Sequence, residues 1–109
     1  MAELYVGLQD DESEAIARLG VALADPVRQA VLMRLALGSA YPGELMDVVG
    51  TTAPNLSNHL ACLRGCGLVT AQREGRRMRY DLASAALGEA LDAIVAVVCD
   101  CVADDEMSA

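Results

Sequence analysis

The chain has no lysine, no tryptophan and no phenylalanine among its 109 residues, and a single histidine, His59. Each absence narrows the field. One histidine, no paired carboxylates on a recognisable scaffold and no glycine-rich phosphate loop leave no catalytic constellation, so no enzyme is expected. No apolar run is long enough to span a bilayer. The N-terminus carries acids rather than a basic stretch followed by an apolar run, so no secretory leader is expected. That points to a cytoplasmic location, where thiols stay reduced. The only aromatics are three tyrosines, and alanine, leucine and valine dominate a composition that is 54% hydrophobic, which suits a helical protein.

What is present is unevenly spread. The formal net charge is −8, with every positive side chain one of eight arginines. Glu3, Asp10, Asp11, Glu12 and Glu14 precede Ala15 with no base among them. Glu89, Asp92, Asp100, Asp104, Asp105 and Glu106 close the chain, again with no base. Between Thr51 and Tyr80, Arg64, Arg73, Arg76, Arg77 and Arg79 face Glu74 alone. A basic middle can meet phosphates while acidic ends stay clear of them, so the acidic sum does not exclude nucleic acid.

The periodicity predicts one mainly α domain with a β-hairpin. Residues 1–11 read as an N-terminal arm, 12–99 as the folded domain and 100–109 as an acidic C-terminal tail. From about Glu12, Ala15, Ile16, Leu19, Val21, Ala22 and Leu23 make an apolar helical face. Asp25-Pro26 restarts the chain as N-cap and first helical residue. Val27, Ala30, Val31, Leu32 and Leu35 form the next stripe, which Gly38 stops. A short helix opens at Tyr41-Pro42-Gly43, turns Leu45, Val48 and Val49 inward and ends at Gly50.

The stretch from Thr51 to Val69 organises the rest. Thr51 or Thr52 caps a fourth helix, and Leu56, Leu60 and Leu63 fall on one face. A short helix, a glycine turn and a second helix form a helix-turn-helix. Strands at Leu68–Ala71 and Met78–Leu82, joined by a turn at Glu74–Arg77, add a wing whose tip is rich in arginine. Thr52, Asn55, Ser57, Asn58 and His59 are the candidates for DNA groove contacts, since Asn pairs with adenine edges and Ser takes either role. Arg76, Arg77 and Arg79 are placed on the phosphate backbone or in a minor groove. The bland alternative for the wing is a solvated hairpin tip. Ser84 caps a last helix striped by Leu87, Leu91, Ile94, Val95 and Val98. So apolar a helix needs a partner, and pairing with the first helix and with a twofold-related copy is the simplest answer.

The order and spacing of these elements resemble the ArsR/SmtB family of metal-sensing repressors, over roughly Ile16 to Val98. The resemblance rests on Leu23-Ala24-Asp25-Pro26-Val27-Arg28 and on Asn55-Leu56-Ser57-Asn58-His59-Leu60 followed by Leu63. It rests further on Gly67-Leu68-Val69 and on the Glu74-Gly75-Arg76 turn with Tyr80. The run from Cys62 to Val69 is similar to the cadmium/lead-sensing branch. The resemblance implies a homodimeric winged helix-turn-helix repressor that sits on an operator until metal binds. It also implies two thiolates from the recognition helix and a third from the C-terminal region of the other subunit. His59 matches a histidine within the family's recognition motif, and reads as a DNA-facing or structural residue rather than a ligand.

The residues support a metal site in their own right. Cys62 and Cys66, four apart on a helix, have Cβ atoms about 5–6 Å apart. Two such thiolates converge on one ion at bonds of about 2.3 Å for zinc and longer for larger ions. Cys99 and Cys101 are the remaining cysteines. Three or four thiolates favour soft ions, read here as Cd(II) or Pb(II), with As(III) or Zn(II) as alternatives. Residues two apart on an intact helix point to different faces, so Cys99 and Cys101 act jointly only where the helix frays. One of them, both, or a separate site all stay open readings. Any single cysteine also reads as a small buried apolar residue. Two rivals keep parts of this picture: a thiol redox or persulfide sensor on the same fold, and an interaction module built on structural zinc.

Overall fold

A computed structural model describes the backbone of residues 10–108 and the side chains as far as residue 101. The arm expected over residues 1–11 therefore lies, except for its last two residues, outside the described residues. The order is α1 (Asp10–Leu23), α2 (Pro26–Leu35), α3 (Pro42–Val49), α4 (Ala53–Gly65), β1 (Val69–Glu74), β2 (Arg77–Leu82) and α5 (Ala85–Ser108). This is the mainly α architecture with a β-hairpin that the pattern predicts.

The helix starts follow their caps. Asp25 Oδ1 accepts from the Val27 N–H at 2.8 Å and the Arg28 N–H at 3.2 Å, satisfying donors that α2 cannot bond internally. Glu44 reaches back to the Tyr41 N–H at 3.0 Å and fixes the start of α3. Thr52, rather than Thr51, caps α4, its Oγ1 accepting from the Asn55 N–H at 3.3 Å. The end of α4 is equally specific. Gly67 takes φ 77°, its N–H bonds to Arg64 O at 3.0 Å, and the Leu68 N–H bonds to Leu63 O at 3.0 Å. That pair of bonds is a Schellman stop, and the left-handed residue it needs is a glycine.

The core forms where α2, α3, α4 and the hairpin meet. Val31, Leu32, Leu45 and Leu63 are fully enclosed, and Leu35, Leu56, Leu60 and Val69 nearly so. The expected stripe of α4 is thus buried, and that of α2 is buried at Val31, Leu32 and Leu35 and half-buried at Val27 and Ala30. Two expectations fail in detail. Val48 is exposed, because α3 turns Leu45 and Val49 inward and Val48 falls outside that arc. β1 runs three residues further into the hairpin than expected and β2 begins one residue earlier, since Gly75 at φ 63° lets the chain reverse within Gly75-Arg76. Pairing from Val69–Leu82 to Glu74–Arg77 follows. A bridge between Ala40 and Tyr80 adds a link from the α2–α3 connection to β2, with N–H···O distances of 3.0 and 2.8 Å.

The outer helices behave differently. In α1 only Ala22 is buried, while Ile16 is 61% exposed. In α5 Leu91 joins the core, but Ile94, Val95, Val97 and Val98 face outward. An apolar cavity of about 330 Å³ lies between Leu23, Leu32, Met33 and this part of α5. The stripes expected on both helices are real, but one copy of the chain does not cover them. The acidic segment expected as a tail from residue 100 continues α5 as helix to Ser108. Among the described residues, no helix is long and apolar enough to cross a membrane.

Because Leu63 is fully buried on the face that seats α4, Leu63→Ala should cost about 2–5 kcal/mol of stability. A denaturant titration should show a lower midpoint at an unchanged slope.

Candidate functional site

α4 carries two candidate regions at opposite ends. At its start, Thr52 is occupied as the cap, and the Asn55 side-chain amide donates to Thr51 Oγ1 at 2.6 Å. Ser57 and Asn58 stand exposed on the first turns, away from the face that buries Leu56 and Leu60. His59, expected beside them as a groove contact, is turned inward: its side chain is 16% exposed. Arg28 Nη1 lies 3.3 Å from His59 Nδ1. A guanidinium can only donate, so this nitrogen is the acceptor and the neutral ring carries its proton on Nε2. Nε2 faces Asp25 Oδ1 at 3.8 Å. Of the two roles expected for His59, the geometry supports the structural one.

The wing is tied to the body rather than left loose. Arg77 lies over the Tyr41 ring, 3.4 Å from its centroid, a cation–π contact. The Tyr41 hydroxyl donates to Glu74 Oε1 at 2.8 Å, and that bond, with partial burial, raises the tyrosine's pKa above its ordinary value. Arg79 reaches Asp81 at 3.1 Å and Glu74 at 3.4 Å. Asp81 also accepts from the Ser39 hydroxyl. Arg73 Nε donates to Gly75 O at 3.2 Å. Arg76 is exposed at the turn and, among the described residues, holds no ion pair or hydrogen bond. Of the three arginines expected to grip the DNA backbone, Arg77 and Arg79 also contact the protein's own Tyr41, Glu74 and Asp81, Arg77 staying exposed, and Arg76 is presented outward.

Cys62 and Cys66 occupy the last turns of α4 and are half-buried. Cys66 is the C-cap residue itself, its N–H bonded to Cys62 O at 3.0 Å. Burial pushes the Cys66 thiol up, and the charge of Cys62 and a hydrogen bond with it add to the rise; the Arg18 and Arg28 charges pull the other way. Cys99 and Cys101 lie exposed on an unbroken helix, so they point to different sides and are not brought to Cys62 and Cys66. Among the described residues, no three metal-ligating side chains cluster. The donor chemistry of Cys62 and Cys66 fits a soft cation.

Periodicity missed a third group. Arg28 Nη2 donates to Val21 O at 2.7 Å and Nε to Ala22 O at 3.3 Å. Gln29 donates to Leu23 O at 2.6 Å. These bonds cap the last carbonyls of α1, of which Val21 O also accepts from the Ala24 N–H at 3.4 Å. The Asp-Pro-x-Arg spacing was visible, but it reads locally as a cap, and the partners lie on other helices. Tyr41 likewise signals only the start of α3 in the sequence, since its wing partners are more than thirty residues away.

The comparisons agree with this geometry. A family model described as "Bacterial regulatory protein, arsR family" matches residues 25–71. The HTH-type transcriptional regulator CmtR of Mycobacterium tuberculosis is 56% identical over 84 residues, 77% of this chain and 71% of that protein. The NMR structure of the cadmium sensor CMTR from the same organism matches with a TM-score of 0.65 at 55% identity, covering 76% of this chain and 86% of that one. The homodimeric winged helix-turn-helix DNA-binding domain of a Mycobacterium bovis protein matches at 0.73 and 33% identity, covering 86% and 89%. The fold, with its helix pair and hairpin, and the identity carried across more than two thirds of a known regulator lead to one assignment: the chain belongs to the arsR family of bacterial regulatory proteins and has the winged helix-turn-helix fold.

Proposed function

We propose that the chain is a metal-responsive transcriptional repressor, binding operator DNA as a homodimer and releasing it when Cys62 and Cys66 take up a soft cation. The observation that carries this is the sharing of α4: exposed polar residues at its start, two thiols on its last turns, and a rigid hydrogen-bonded rod between. Cd(II) or Pb(II) is the effector favoured by thiolate ligands, with As(III) and Zn(II) as the alternatives. The cadmium-sensor relative supports the first of these.

Ser57 and Asn58 are placed to read base edges, with Thr52 and Asn55 at the entry of the helix, and Arg76 is placed to meet phosphate. The outward apolar strip of α5 and the exposed Ile16 of α1 are the surfaces through which two copies pair, in keeping with the homodimeric relative. Cys62 and Cys66 hold one half of the metal site, and a thiol from the end of the partner's last helix, Cys99 or Cys101, is the natural complement. A bound soft cation supplies a bond between thiolates that the protein alone lacks. The redox alternative is disfavoured because a disulfide between residues four apart on one helix is poorly set.

Three outcomes test this reading. Cys62→Ser should bind operator within about twofold of the parent but stay bound as Cd(II) is added, a coupling of about 1–3 kcal/mol being lost; normal release in a gel-shift titration removes Cys62 from the sensor. Arg76→Ala should weaken operator binding and lower the slope of log affinity against log salt by about 1. Cys66 prefers its neutral thiol, so uptake of the cation displaces a proton. Apparent Cd(II) affinity should then rise with pH by about tenfold per unit for each proton released at neutral pH, measured by competition with a chelator. A pH-independent affinity counts against thiolate ligation.

A further inference from the structure

His59, Cys62 and Cys66 are spaced three and four apart, which puts them on one stripe of α4. All three are half-buried, whereas Ser57, Asn58, Ala61 and Arg64 are exposed. The stripe faces the corner between α1 and α2. There Arg28 bonds the last carbonyls of α1 at 2.7 and 3.3 Å and reaches His59 at 3.3 Å. One guanidinium therefore joins three helices: α2 that bears it, α1 whose end it caps, and α4.

We propose that Arg28 is the positioning residue through which the state of the Cys62–Cys66 thiols reaches the reading end of α4. The proposal rests on the metal-responsive reading given above. The reasoning is mechanical. The thiols sit one and two turns beyond His59. A pull on that end of the helix can be taken up in the last turn, where the Schellman bonds and the buried Leu63 resist it, or it can turn α4 as a rigid body. The fork of Arg28 is planar and bonded in three places, so it fixes the α1–α2 corner as the fulcrum against which α4 moves. Without that fulcrum, displacement of the thiol end is absorbed locally and the exposed face of Ser57 and Asn58 stays where it was.

The test compares the parent chain with Arg28→Gln, Arg28→Lys and Gln29→Ala. Operator duplexes are selected by the protein from a random pool. Three quantities are read: Cd(II) uptake by thiolate-to-metal absorption, operator affinity without Cd(II), and the ratio of affinities with and without it. Arg28→Gln should take up Cd(II) at the parent's stoichiometry and keep operator affinity within about threefold, while the ratio falls by about tenfold. Where thermal unfolding shows that Arg28→Gln is not folded, Arg28→Lys, which keeps the charge and loses the fork, carries the same expectation. Gln29→Ala removes a cap from the same end of α1 and leaves the His59 contact in place, so it should keep the full ratio. A folded Arg28 variant with an unchanged ratio overturns the proposal. So does an equal loss in Gln29→Ala, which would mean general loosening of α1. If the parent's own operator affinity ignores Cd(II), the functional reading fails first, and that result is distinct from a failure of Arg28 alone.

Discussion

The seating of α4 by Leu56, Leu60 and Leu63 is the constraint on which the rest of the molecule depends. Three leucines buried at 1%, 3% and 0% exposure fix the rotation of the helix about its own axis. A helix has one rotational setting, and every other side chain on it then has its direction assigned. Ser57 and Asn58 are turned out because Leu56 and Leu60 are turned in. His59, Cys62 and Cys66 fall at the margin of the buried face, half-covered and against the α1–α2 corner. The separation of a polar outer face from a thiol-bearing side face is thus a result of core packing.

The ends of the same helix are set by polar bonds rather than by burial. Thr52 begins it, and the Gly67 stop ends it directly after Cys66. The hairpin is held to the body by the Ala40–Tyr80 bridge and by Tyr41, which engages Glu74 and Arg77 together. Surface ion pairs of this kind contribute little stability singly. Here their effect is on placement, since they fix the hairpin relative to α3 and leave Arg76 at the turn.

Much of this was legible in the chain. Caps at Asp25 and Thr52, the stop at Gly50, and the leucine spacing of α4 are local signals, and the structure follows them. The cysteine pair was legible for the same reason, being four residues apart on a segment whose period was plain. What was not legible lies between elements distant in sequence. Arg77 and Arg79 looked like free cations in a basic run, yet their partners Tyr41 and Asp81 take them up. His59 reads from the sequence as DNA-facing or structural, and only the spacing 59, 62, 66 places it with the thiols. Ile16 and the later α5 residues showed their apolar faces clearly, and the sequence pattern does not say whether the same chain or a second copy covers such a face.

The link between α4 and the hairpin is short and held at both ends. Only Cys66, Gly67 and Leu68 separate α4 from β1, and Leu68 is bonded back to Leu63 while Ala83 bonds to Leu68 O at 2.9 Å. There is no slack in such a connection. It behaves as a crank, so a swing at the cysteine end of the rod carries the wing along with it. The exposed start of α4 and the hairpin would then tilt in the same stroke, so that one small local displacement moves two surfaces at once.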